Sequence, residues 1–144
     1  MTTPEELKAI ARRFVDEVFN KRNLKHAEEM LTDDFVEHSP VTPDLGSGKN
    51  AAMESFRILL DSSDDLRAEI LEQVSDGQRV AIRARYSGTD TGGAFPGMAP
   101  TGKHFDIEGI DVAVLDDEGR FIEHYGVADV MTAMGQLGHL PPPG

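Results

Sequence analysis

Apolar residues recur at helical spacing through the N-terminal part of the chain and at strand spacing through most of the rest. Thr3-Pro4-Glu5-Glu6 opens a helix, with Thr3 as the cap, Pro4 at the first helical position and Glu6 completing a capping box. Leu7, Ile10, Ala11, Phe14, Val15, Val18 and Phe19 then hold the i, i+3, i+4, i+7 rule without a break, so one broad stripe of this helix faces a core. Leu24, Ala27, Met30 and Leu31 predict a second, shorter helix, and Phe35-Val36-Glu37-His38 a short strand stopped by Ser39-Pro40-Val41-Thr42-Pro43. Two prolines and Gly46-Ser47-Gly48 make 39–48 a loop, and Met53, Phe56, Leu59 and Leu60 mark a third helix from Lys49 to Asp61.

After Asp64 the period changes to two. Leu66, Ala68, Ile70 and Val74 alternate with polar residues, Asp76-Gly77 is a hairpin turn, and Val80, Ile82, Ala84 and Tyr86 alternate with Arg79, Arg83 and Arg85. Residues 89–102, rich in glycine and proline, read as a flexible loop of the length used for lids or edge crossings. Phe105 to Leu115 and Phe121 to Asp129 form a second hairpin around Asp116-Asp117-Glu118-Gly119, and residues 130–137 a terminal helical turn. Helices followed by long antiparallel strands predict an α+β fold, with the first helix laid across a curved sheet and a cavity at the open end of the resulting cone.

Composition narrows the function. A chain of 144 residues, 39% hydrophobic, has room for one domain, here 1–140, with the proline-rich 141–144 as a tail. With 26 acidic against 14 basic residues the net charge is -12, which repels phosphate backbones and anionic lipid and argues against nucleic-acid and membrane partners. Cysteine is absent, so disulfides, thiolate metal sites and a cysteine nucleophile are excluded. The N-terminus lacks the basic and apolar regions of a signal peptide and no apolar run approaches the ~18 residues of a membrane span, so a cytoplasmic protein is expected. No histidine pair has the spacing of a zinc helix, and neither metal nor cofactor is expected.

The candidate chemistry is acid/base. If the second hairpin pairs Leu115 with Arg120, Asp106 stands opposite Asp129, Glu108 opposite Val127, Ile110 opposite Tyr125 and Asp111 opposite His124. Alternation then puts Asp106, Glu108, Ile110, Tyr125, Val127 and Asp129 on one sheet face and Asp111 with His124 on the other. Carboxylates sharing an apolar pocket cannot all ionise cheaply, and one acquires a raised pKa useful for proton transfer; at solvated strand ends they are ordinary surface groups. His38, closing the first strand, and His124 are the histidines placed to act, each also open to a plain hydrogen-bonding role at the sheet margin. Arg83 either enters the cavity to hold an enolate oxygen or forms a solvated ion pair.

The run Gly97-Met98-Ala99-Pro100-Thr101-Gly102-Lys103, the strand Phe105-Asp106-Ile107-Glu108-Gly109-Ile110-Asp111 and the ending Ile122-Glu123-His124-Tyr125-Gly126-Val127-Ala128-Asp129 to Gln136-Leu137-Gly138 resemble the SnoaL-like polyketide cyclases, also labelled ester cyclases. These belong to the nuclear-transport-factor-2-like superfamily, a cone of curved antiparallel sheet crossed by helices, and the resemblance spans nearly the whole chain. It implies a cofactor-free intramolecular aldol closure on a small hydrophobic carbonyl compound, with Asp129 as general acid/base and His124 beside it. His38, Arg83, Glu108, Tyr125 and Phe56 would line the substrate pocket, and the outer sheet face would build a homodimer. Tyr125 stands where the family usually has tryptophan, which alters the pocket wall and puts a polyketide substrate in question. The superfamily also contains non-enzymatic binding domains and epoxide hydrolases, so a ligand-binding module and a water-activating enzyme are the alternatives. The resemblance and the alternation disagree on one point, since alternation sets His124 on the opposite face from Asp129.

Overall fold

The computed structural model describes residues 2–141. Helix α1 (Pro4–Val15) starts with the expected reciprocal cap: Thr3 accepts from the Glu6 amide and the Glu6 carboxylate accepts from the Thr3 amide. It runs on into a π-helical turn over Asp16–Asn20. Helix α2 (Leu24–Met30) follows, then strand β1 (Leu31–Glu37), helix α3 (Lys49–Ser62) and the hairpin strands β2 (Arg67–Asp76) and β3 (Arg79–Thr89). Strands β4 (His104–Leu115) and β5 (Phe121–Ala128) and helix α4 (Val130–Gln136) complete the order. Strand β1 begins at Leu31, earlier than the expected Phe35, because Leu31 is a buried core residue paired beside Phe121 rather than the end of α2.

The five strands form one sheet in the order β1-β5-β4-β3-β2. Strands β2 to β5 are antiparallel, as their alternation predicts, and β1 joins the edge parallel to β5. One sheet face is covered by helices. Leu7, Ala11, Val15, Val18 and Phe19 from α1 and its π-helical extension meet Ala68, Val80, Ile82, Ala84, Ala113 and Leu115 there, together with Ala52 and Met53 of α3. Leu7, Val18 and Val80 have no exposed surface, and burying such a side chain contributes about 1.5–3 kcal/mol each. Phe14 is partly buried in an aromatic cluster with Phe121 (centroids 4.7 Å apart) and Phe56 (5.7 Å).

Two side-chain amides complete strand edges that no neighbouring strand covers at that point. Asn20 bonds both the carbonyl and the amide of Ala68 on edge strand β2, at 2.9 and 2.8 Å. Gln136 does the same for Asp106 on β4, beyond the end of β5, at 2.9 and 2.7 Å. An unpaired strand edge is thereby satisfied inside the chain. In the sequence Gln136-Leu137-Gly138, Gln136 therefore pins β4, Leu137 is 1% exposed, and Gly138 takes a left-handed φ of 82°.

The 89–102 loop, expected to be flexible, is held at its neck. Asp90 is fully buried and accepts from the amides of Gly93, Ala94 and Thr101 and from the Thr101 hydroxyl at 2.7–3.1 Å. Burial alone would raise its pKa, but these donors outweigh burial and hold it below the ordinary 3.8.

Candidate active site

The register of the second hairpin decides which groups meet. Leu115 pairs with Phe121 rather than Arg120, and a bulge at Ile122 sets Val114 against Glu123, Ala113 against His124 and Asp111 against Gly126. The expected pairing is corrected by two residues, and a slip of two leaves every side chain on its face. Asp111 and His124 therefore lie on the helix-covered face with Ala113 and Leu115, as alternation requires. Parallel pairing of β1 with β5 brings Glu37 level with His124 on that same face.

The result is a continuous chain of ionisable groups. The Tyr86 hydroxyl donates to Asp111 Oδ2 at 2.6 Å, His124 Nε2 meets Asp111 Oδ1 at 2.8 Å, and His124 Nδ1 meets Glu37 Oε1 at 2.7 Å. Glu37 is almost completely buried and also accepts from the Ser39 amide at 2.9 Å. The side chains of His124 and Asp111 each keep 27% of their surface accessible, so the chain is buried at Glu37 and reachable in its middle, at His124 and Asp111. Burial works against charge on His124. The hydrogen bonds and charges of Asp111 and Glu37 outweigh it and raise the imidazole from 6.5 to about 9. At neutral pH His124 is an imidazolium donating from both nitrogens. Tyr86 is pushed well above its ordinary 10, first by burial and then by the Asp111 charge.

Gly126 makes room for this arrangement. A Cβ there would stand 2.6 Å from Asp111 Oδ1 and 3.0 Å from His124 Cε1, so any side chain would displace the carboxylate from the histidine. Beyond His124 the same face of β5 carries only Gly126 and Ala128. Asp111 is thus approached across small residues.

Of the residues expected to form the site, only His124 joins this cluster. Asp129 is exposed, caps α4 and accepts from the Thr132 hydroxyl at 2.7 Å and the Thr132 amide at 3.1 Å. Those two bonds lower its pKa from 3.8, the reverse of the raised value and enclosed pocket expected for it. The physical reason is that β5 ends at Ala128, so Asp129 starts the next helix instead of extending the strand. Arg83 lies on the outer face, bridging Glu72 and Glu108, and Arg85 pairs there with Asp106. Of the carboxylates that alternation gathers on one face, Asp106 and Glu108 are consequently ion-paired in solvent. His38 and Tyr125 stack on the outer face with parallel rings 4.1 Å apart, and both donate to Glu123. Phe56 packs against Phe14 and Phe19 in the core cluster. Two open grooves, of about 590 Å3 between α1 and β2 and about 470 Å3 at the start of α3, are lined by none of these residues.

Glu37, Tyr86 and Asp111 were nevertheless marked by parity. Glu37 is two residues beyond buried Phe35, Tyr86 two beyond buried Ala84, and Asp111 two before buried Ala113. A polar residue in phase with a core stripe is the available signal.

The model of the SnoaL-like polyketide cyclase family matches residues 9–137. The chain belongs to that family. Its fold is that of TsrD from Streptomyces laurentii, at 21% identity, TM-score 0.84 and coverage of 97% of this chain and 100% of that one. IdmH from Streptomyces antibioticus superposes with TM-score 0.78 at 24% identity over 92% and 99% of the two chains. A SnoaL-like polyketide cyclase from Agrobacterium tumefaciens superposes with TM-score 0.74 at 18% identity, over 96% and 100%. Among curated proteins none matches this sequence. No helix among the described residues is long and apolar enough to cross a membrane.

Proposed function

We propose that this protein is a cofactor-independent acid/base enzyme of the SnoaL-like cyclase type, acting on a small uncharged carbonyl compound, with Asp111 as the proton acceptor. The observation that carries the proposal is the Tyr86–Asp111–His124–Glu37 chain, buried at one end and reachable at Asp111. In the proposed step the carboxylate of Asp111 takes a proton from the carbon beside the substrate carbonyl. The C–H bond breaks, an O–H bond forms on Asp111, and the electron pair passes to the carbonyl oxygen as an enolate. The enolate carbon then attacks a second carbonyl of the same molecule, and Asp111 returns its proton to the new alkoxide. His124 orients Asp111 and keeps a positive charge beside it, while buried Glu37 fixes the His124 ring. Two carboxylates against one imidazolium disfavour an anionic substrate in this site.

Two rival readings lose support on this arrangement. Water activation for epoxide opening calls for an arginine beside the paired carboxylates, and Arg83 and Arg85 occupy the opposite face. A pure binding module does not require a reachable carboxylate held between a tyrosine hydroxyl and a doubly paired histidine. The test is deuterium exchange at the activated carbon of 2-tetralone in D2O, followed by NMR. Wild-type protein should accelerate exchange, and Asp111→Asn should slow it about 100-fold or more. A wild-type rate no faster than buffer rejects the proposal in favour of a binding module.

A further inference from the structure

A developing enolate oxygen needs a hydrogen-bond donor, and the donors of the cluster can be counted. The Tyr86 hydroxyl spends its proton on Asp111, and the two ring N–H groups of His124 are spent on Asp111 and Glu37. The Gly126 amide donates to Ser39 Oγ at 3.0 Å, and the Ser39 amide to Glu37. Ser39 Oγ therefore acts as acceptor, and among the described residues nothing takes its own proton. Pro40 follows Ser39 and has no N–H, so β1 cannot extend. Where the ladder stops, the hydroxyl of Ser39 replaces it against β5.

From this accounting we infer that Ser39 is a substrate-contacting residue whose hydroxyl donates to the carbonyl oxygen that becomes the enolate. The inference rests on the proposed acid/base reading of the same site. Ser39 Oγ and Asp111 Oδ1 flank one residue, Gly126. The first is bonded to the Gly126 amide, and the second stands 2.6 Å from the point a Cβ at 126 would occupy. With no side chain between them, a carbonyl group can present its oxygen to Ser39 and its neighbouring carbon to Asp111. Position 39 then selects substrates by the oxygen they place there.

The experiment uses the full-length protein with 2-tetralone as exchange substrate and 2-naphthol, a planar mimic of its enol, as a fluorescent ligand. Ser39→Ala should slow exchange about 100-fold and weaken 2-naphthol binding about ten-fold, leaving affinity for 2-tetralone within about two-fold. Ser39→Thr, which keeps the hydroxyl, should restore both. Should Ser39→Ala fold poorly by circular dichroism, Ser39→Cys, of similar size and with only a weak donor, should give the same selective loss. If Asp111→Asn abolishes exchange while the Ser39 variants keep wild-type exchange and 2-naphthol affinity, the role of Ser39 is overturned and the acid/base reading stands. If Asp111→Asn exchanges like wild type, both fall together.

Discussion

The charge on His124 ties the stability of this fold to pH. Its imidazole sits between Asp111 and Glu37, with its pKa raised from 6.5 to about 9. A group whose pKa is higher in the folded state binds its proton more tightly there, so its contribution is fully present below about pH 6.5 and lost as pH rises through 9. At about 1.4 kcal/mol per pH unit, the difference corresponds to roughly 3 kcal/mol of unfolding free energy. Only 27% of the side chain is accessible, so solvent screening removes little of this. Two measurements check it. The ring protons of His124, assigned by comparison with His124→Gln, should titrate by NMR with a midpoint near 9. Urea denaturation at pH 6.5 and 9.5 should differ by about 3 kcal/mol, the protein being weaker at the higher pH. A midpoint at or below 6.5, with stability flat over the same interval, would refute the doubly paired imidazolium.

Three further outcomes are expected. Phe14→Ala should cost about 3 kcal/mol by leaving a cavity among Phe56, Phe121 and His26, read as a lower urea midpoint at unchanged slope. Asp129→Ala should lower the thermal midpoint slightly by uncapping α4, and Asp129→Ser, another capping residue, should recover most of the loss. A homodimer through the outer sheet face, where Ile110, Tyr125 and Val127 are exposed, should give about twice the 15.7 kDa chain mass in light scattering; the monomer mass at micromolar concentration would reject it.

The elements were legible wherever one period ran unbroken. The stripe from Leu7 to Phe19 and the alternation from Val80 to Tyr86 each announce a surface that must be buried, and both are buried. The parallel placement of β1 beside β5 was not legible, because pairing partners distant in sequence leave no local mark. That unseen contact is what brings Glu37 to His124. The site divides along the same line. Alternation put Asp111 and His124 on one face and kept Asp129 off it, and that division survives the bulge at Ile122. Motif resemblance singled out Asp129 as the acid/base, where the chain has already turned into a helix. Arg83 and Glu108 look functional as isolated charges, yet they meet diagonally across β3 and β4 and pair with each other in solvent.

The most direct test of the central claim compares wild type, Asp111→Asn and Asp129→Asn in the 2-tetralone exchange assay at neutral pD, with circular dichroism to show that each variant is folded. Asp111 stands between Tyr86 and His124 on the helix-covered face, whereas Asp129 is spent on Thr132 at a helix start. Asp111→Asn should lose about 100-fold or more in rate while Asp129→Asn stays close to wild type. Wild-type exchange in folded Asp111→Asn, together with its loss in Asp129→Asn, would contradict the claim and return the chemistry to the end of β5.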